Sequence, residues 1–201
     1  LGISLGRLDT FVNTTKVDAT KECSSLIAER YDHTATVLED GRVFIAGGVR
    51  PNPDVTPMTT TYWETTELYD PMLGRYQQAE PMTWMRRGHT ATELIDGRVL
   101  LVGGLFYAGA GNGQSQEQTW VVAHPFDPIS NKFKTPIKMV QQRAYHSATT
   151  LGDGRVLFVG GRFEGQALDS SEIFDPATNT SVVGPKMSAG RSHHIAVRIA
   201  P

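Results

Sequence analysis

Three apolar runs, VFIA (43–46), VLLV (99–102) and VLFV (156–159), each follow an Asp-Gly pair and each end in a Gly-Gly pair. Short, uninterrupted apolar stretches bounded by turn residues predict strands covered on both faces, as when twisted sheets stack. Asp40-Gly41, Asp96-Gly97 and Asp153-Gly154 join each run to an earlier strand, and the pair predicts a tight hairpin in which both residues tolerate positive φ. A third strand then ends in an aromatic residue followed by Asp-Pro, at Tyr69-Asp70-Pro71, Phe126-Asp127-Pro128 and Phe174-Asp175-Pro176. Asp then Pro suits the first two positions of a type I turn. Gly74, Asn131 or Asn179 sits three residues past each proline, where a left-handed residue closes the turn. The fourth strand carries Tyr76, Phe133 or, in the last copy, Ser181, and Met82, Met139 and Met187 close the units. The recurring aromatics are expected to pack between adjacent sheets.

The opening residues of the three copies, His33, His89 and His146, lie 56 and 57 positions apart, and a fourth copy starts as RSHHIAVRIAP (191–201). A period of this length built from four strands predicts an all-β propeller with four-stranded antiparallel blades. Complete blades are read at 29–84, 85–141 and 142–189, with 190–201 as the first strand of a further blade. Residues 1–28 have neither Asp-Gly nor Gly-Gly and are read as a partial blade or N-terminal extension, with Phe11–Val12, Val17 and Ser25–Ile27 as candidate outer strands. Two completions stay open: a larger ring of which this is one part, or a four-blade ring sharing its last sheet between the termini. The missing second strand of such a shared sheet favours the first.

The order H-[TS]-A-T-x-L-x-D-G-R-V-x-x-x-G-G, followed by aromatic-Asp-Pro, resembles the kelch repeats of bacterial surface proteins and covers about residues 29–201. The resemblance implies kelch blades and an extracellular or cell-surface setting. A second likeness is narrower. Arg143-Ala144-Tyr145-His146-Ser147 is similar to the segment that supplies a tyrosine and a histidine to copper in galactose oxidase and glyoxal oxidase. Carried over, Tyr145 and His146 would be copper ligands. The rest of that pattern is missing: Cys23 does not precede a blade motif, and Gly88 or His89 stands where the crosslinked tyrosine belongs. The preferred reading therefore has no cofactor, with copper as the alternative.

Arg-x-x-His recurs at Arg30/His33, Arg86/His89, Arg143/His146 and Arg191/His194. Four imidazoles converging on a channel would suit a metal, but a residue repeated in every blade is better explained as serving the repeat. Asp40/Arg42, Asp96/Arg98 and Asp153/Arg155 receive the same structural reading.

Antiparallel geometry sorts the connections into two faces. The Arg-x-x-His connectors share one face with the loops after Gly-Gly, and the short Asp-Gly and Asp-Pro turns share the other. The loops after Gly-Gly are long and dissimilar (49–63, 105–120 and 162–169), and binding concentrates in such loops on rigid scaffolds. Arg50, Tyr62, Trp84, Phe106, Tyr107, Arg162 and Phe163 are the candidate binding residues, being of types enriched at recognition surfaces. Trp63 and Trp120 are read as strand-starting residues packed beneath the loops.

Bulk properties narrow the function only by exclusion. Net charge of -2 gives no basic face for nucleic acid, and no apolar stretch reaches the ~20 residues of a membrane span. The lone cysteine, Cys23, forms no internal disulfide. Asn13-Thr14-Thr15 matches a glycosylation sequon and points outward from the cell. Neither a hydrolase elbow nor a phosphate loop is present. The expected function is non-catalytic binding of a protein or glycan through the long loops. The alternatives are part of a copper-radical oxidase or a structural repeat in an extracellular assembly, with other chains or chain segments completing the propeller.

Overall fold

The computed structural model describes residues 25–52, 59–109 and 115–199. The readings at Phe11–Val12, Val17, Cys23 and Asn13 lie outside these residues, as do the tips of the first two long loops. Every element of the described residues is a strand. Blade one contains β1 (Thr34–Val37), β2 (Val43–Ala46), an accessory hairpin of β3 (Val49–Asn52) and β4 (Thr59–Tyr62), then β5 (Thr66–Asp70) and β6 (Arg75–Gln78). Blade two contains β7 (Thr90–Glu93), β8 (Val99–Val102), the hairpin β9 (Leu105–Gly109) and β10 (Ser115–Thr119), β11 (Val122–Asp127), and a fourth edge broken into β12 (Lys132–Phe133) and β13 (Ile137–Lys138). Pro136, which has no N–H to give a ladder, sits at that break. Blade three contains β14 (Ser147–Thr150), β15 (Val156–Val159), the hairpin β16 (Arg162–Phe163) and β17 (Gln166–Ala167), β18 (Ser171–Asp175) and β19 (Thr180–Val183). The main sheets run β1-β2-β5-β6, β7-β8-β11-β12 and β14-β15-β18-β19, all antiparallel.

The apolar second strands are covered on both sides because alternate residues serve different neighbours. Val99 and Leu101 of β8 join Phe44, Leu68 and Phe126 in the core between blades one and two. Leu100 and Val102 join Val156, Phe158 and Phe174 between blades two and three. Phe126 stacks on Phe44 across the first junction, with ring centroids 4.2 Å apart. The expected inter-sheet role of the aromatics thus holds for Phe126. Tyr69–Tyr76 and Phe126–Phe133, at 4.8 and 5.0 Å, are instead cross-strand pairs within a sheet, the ordinary unit of sheet stabilisation.

The Asp-Gly hairpins differ from expectation in detail. Only the glycines take positive φ: 84° at Gly41, 80° at Gly97 and 87° at Gly154. In the first copy Gly41 N–H donates to the Leu38 carbonyl and Leu38 N–H to the Arg42 carbonyl, which is a three-residue loop rather than a two-residue one. The aspartate carboxylate holds the turn from the side: Asp40 accepts from the backbone N–H and the Nε of Arg42. Asp96 and Asp153 repeat both bonds. The Asp-Pro turns match expectation, with Asn131 and Asn179 at φ 53° and 54° and Gly74 at 63°.

Gly-Gly is the junction between blades. Gly48, Gly104 and Gly161 N–H groups donate to the carbonyls of Arg86, Arg143 and Arg191 in the following unit, at 2.9, 3.0 and 2.9 Å. The following histidine reaches back as well: His89 Nε2 to Thr34 Oγ1 at 3.0 Å, His146 to Thr90 at 2.8 Å and His194 to Ser147 at 3.1 Å. Residues 190–199 dock on blade three through these contacts and through Thr149 Oγ1, which donates to the Ala196 carbonyl, yet they form no strand ladder of their own. Ser25–Ile27 is likewise not a strand; Ile27 N–H donates to Glu67. A Cβ at Gly47 would stand 2.6 Å from the Arg86 carbonyl oxygen and 2.9 Å from His89 Cε1, at φ 63°, whereas one at Gly41 would meet nothing within 4 Å. Gly47→Ala is therefore expected to lose about 3 kcal/mol or more in chemical denaturation, and Gly41→Ala only about 1–2 kcal/mol from its left-handed backbone. Equal losses would show that the doublet answers a conformational need alone.

Candidate binding face

Each Gly-Gly leads straight into an accessory hairpin, and each hairpin is tied to the connector before the inner strand. Bridges pair Tyr31 with Val49, Arg87 with Leu105, and Ala144 with Arg162. The next residue of every connector is left-handed: Asp32, Gly88, Tyr145 and His193, at φ 55°, 62°, 54° and 56°. Such values are uncommon for residues other than glycine, and here inter-blade hydrogen bonds hold them, with Tyr145 N–H on the Gly88 carbonyl and His193 N–H on the Tyr145 carbonyl. The Tyr145 ring consequently lies over Gly88 and stacks on His193 at 4.1 Å. Gly88, His89, Tyr145, His146, His193 and His194 line an open cleft of about 340 Å³.

Beside this cleft, Arg87 is held between two rings. Its guanidinium carbon is 5.8 Å from the centroids of both Tyr62 and Tyr107, and it pairs with Asp32 at 3.6 Å. Cation–π contacts of this kind favour a fixed guanidinium plane. Tyr107 donates its hydroxyl to Glu117 at 3.1 Å, and Arg162 pairs with the same carboxylate oxygen at 2.6 Å. The cluster links blades one, two and three. Burial pushes the Tyr62 hydroxyl up to about 12, and burial likewise raises Tyr145.

The predicted residues divide three ways. Tyr62, Tyr107 and Arg162 belong to this polar cluster. Trp84 and Phe106 instead pack on Trp120, at 5.4 and 4.9 Å. Trp63 and Trp120 behave as scaffold, donating their indole N–H groups to the Glu29 and Met85 carbonyls. Arg50 is exposed and lies 3.7 Å from Glu29, and Phe163 sits half-buried in β16. Sequence reasoning missed Arg87, Asp32 and Glu117. Their signal is weak, because the positions between Arg and His differ from copy to copy at Asp32 and Arg87, and Glu117 lies in a long loop without a counterpart in the other copies.

His89, His146 and His194 make inter-blade bonds, as the repetition implied. Burial, then the Arg143 charge, holds His146 down at about 3, and burial with Arg86 holds His89 well below the usual range. Of the two residues the copper alternative names, His146 has its Nε2 engaged with Thr90 and Tyr145 has its ring turned onto His193; no group of three or more His, Cys, Asp or Glu placed to hold a metal occurs among the described residues.

The kelch motif matches residues 143–188, which is blade three. Blade three is a kelch repeat, and blades one and two carry the same landmarks in the same order. The chain is 23% identical over 186 residues to beta-scruin of Limulus polyphemus, covering 92% of this chain and 19% of that protein. It is 24% identical over 152 residues to Kelch-like protein 15 of Danio rerio, covering 65% of this chain and 23% of that one. The kelch chain therefore spans about a fifth of the length of these relatives. The solved structure of YjhT shares the fold, with a TM-score of 0.63 at 14% identity over 81% of this chain and 54% of that one. No helix among the described residues is long and apolar enough to cross a membrane.

The neutral, buried histidines of the kelch junctions set a pH dependence. Their folded-state values lie below the unfolded value of about 6.5. Above that pH both states hold the ring neutral, and stability is at its full value. Below it the unfolded chain binds protons that the folded chain refuses, so stability falls as pH drops toward about 3. Urea titrations from pH 7 to 4 should show this decline, and His146→Gln should reduce its slope by about one proton. A slope unchanged by that variant would count against the neutral, desolvated ring.

Proposed function

We propose that this kelch chain is a non-catalytic module that binds a protein partner through the face of the accessory hairpins. Kelch repeats generally mediate protein binding. The observation that carries the reading is the cluster of Tyr62, Arg87 and Tyr107 with Asp32, Glu117 and Arg162, which draws on three blades and stands beside an open cleft. Tyrosine and arginine are enriched among the few residues that dominate the energy of protein interfaces. A guanidinium already fixed by two rings loses little further entropy on binding.

The opposite face has its own exposed apolar residues, Met72, Leu73, Ile95 and Ile129, with Ile129 94% exposed. They sit on short turns, where scattered apolar side chains are ordinary, and they serve here as the control. Tyr107, 38% exposed, is the preferred probe. Arg162 is a poorer one, since its loss also leaves the Glu117 carboxylate without its cation.

Affinity purification of the full-length protein should identify a partner whose binding to Tyr107→Ala falls at least about tenfold, with the melting temperature within about 2 °C of the parent. Ile129→Asp should bind it normally. Retention by Tyr107→Ala together with loss by Ile129→Asp would move the interface to the turn face and sink the proposal. Capture of a glycan in place of a protein would replace the partner class but keep the face.

A further inference from the structure

Blade two departs from its neighbours at one buried position. In blade one, Ile45 faces Glu67 across β2 and β5, and in blade three Phe158 faces Glu172 across β15 and β18. At the same register in blade two, Leu101 faces His124. Glu67 and Glu172 are the counter-charges of the buried Arg30 and Arg143, at 2.6 and 4.0 Å. They also collect backbone donors, Ile27 N–H in the first case and Val140 and Gln141 N–H in the third. Each carboxylate thus fills a nest of donors at the root of its blade.

Arg86 is the matching arginine of blade two and is fully buried. Its Nη1 donates to the Gly103 carbonyl at 3.0 Å and its Nε to the Trp84 carbonyl at 3.4 Å. Its Nη2, the atom with which Arg30 meets Glu67, has no partner. His124, 2% exposed, likewise has a buried Nδ1 with no partner. The acid that influences His124, Glu80, is committed to Lys132 and to Phe133 N–H. A guanidinium does not shed its proton at neutral pH, and a buried cation without an opposite charge is heavily penalised. Blades one and three solve this with glutamate, whereas among the described residues blade two offers none.

We propose that a chloride-sized monovalent anion takes the place of the missing carboxylate, accepting from Arg86 Nη2 and from His124 Nδ1–H beneath the Trp84 ring. The neutral imidazole can adopt the tautomer with its proton on Nδ1, and the anion then satisfies both orphaned buried atoms at once. Trp84, whose ring centroid lies 5.4 Å from that of His124, shields the ion from solvent. A small halide fits the need better than a bulky oxyanion, because the ring of His124 already fills part of the space that a glutamate side chain takes in the sister blades.

The test compares melting of the full-length protein in sodium chloride, sodium bromide and sodium gluconate at one ionic strength, so that general screening is equal. Chloride and bromide should raise the melting temperature by roughly 3 °C or more over gluconate. His124→Glu supplies the carboxylate internally and should lose the halide response while melting in gluconate as high as the parent does in chloride. Crystals grown in bromide need no variant and should show an anomalous peak beside Arg86 Nη2. Identical melting of the parent in chloride and gluconate, a halide response that survives in His124→Glu, or an ordered water in place of bromide would each overturn the proposal.

Discussion

The arginine before each inner strand holds two adjacent blades with opposite ends of itself. Its backbone carbonyl accepts the N–H of the previous blade's second glycine, as Arg86 does from Gly48 and Arg143 from Gly104. Its guanidinium donates to the carbonyl of its own blade's first glycine, at 2.9 Å for Arg30 to Gly47, 3.0 Å for Arg86 to Gly103 and 2.5 Å for Arg143 to Gly160. The first bond needs the backbone of one sheet to approach the next more closely than a side chain allows, and a Cβ at either glycine would meet the following connector or its own, which is why glycine occupies those positions. The histidine three residues later then drops onto the threonine or serine of the preceding sheet. Buried backbone polar groups must find partners, and this device satisfies them across the blade boundary, where no strand ladder can.

Because the junction fixes the connectors, it also fixes what stands beside them. The residue immediately before the histidine is held in the left-handed region, at the seam with the next blade. Glycine at one such seam leaves room for tyrosine at the next, as Gly88 does for Tyr145. The hairpins that follow each doublet are tied to the same connectors, so Tyr62, Arg87 and Tyr107 meet through the scaffold and owe nothing to local sequence proximity. On the turn face, arginines bridge blades in a simpler way, with Arg42 reaching the Pro128 carbonyl and Arg98 the Pro176 carbonyl. That face spends its charged groups on cohesion.

Much of the fold was legible because its determinants are local and repeat. The bounds of β2, β8 and β15 follow from apolar runs between turn residues, and the Asp-Pro turns follow from proline and a left-handed Gly or Asn. The face division follows from antiparallel geometry alone. The site was legible only in part. Tyr62, Tyr107 and Arg162 stood out by type and loop position, yet Trp84 and Phe106 share those attributes and pack inward against Trp120. The Arg–Glu pairs were missed although a signal existed: Glu67, His124 and Glu172 each stand two residues before the aromatic of aromatic-Asp-Pro. The informative residue at this position is the one that breaks the repeat, His124.

By itself the sequence determined that short paired strands recur at a fixed period and that glycine doublets mark where backbones must touch, since turn chemistry and strand periodicity act over a few residues. Only the tertiary structure decided which atoms meet across those contacts. Arg87 between two tyrosines and Arg86 facing a histidine instead of a glutamate depend on side chains far apart in the chain. Their apposition is set by the twist and stacking of whole sheets, a long-range property that no local pattern encodes.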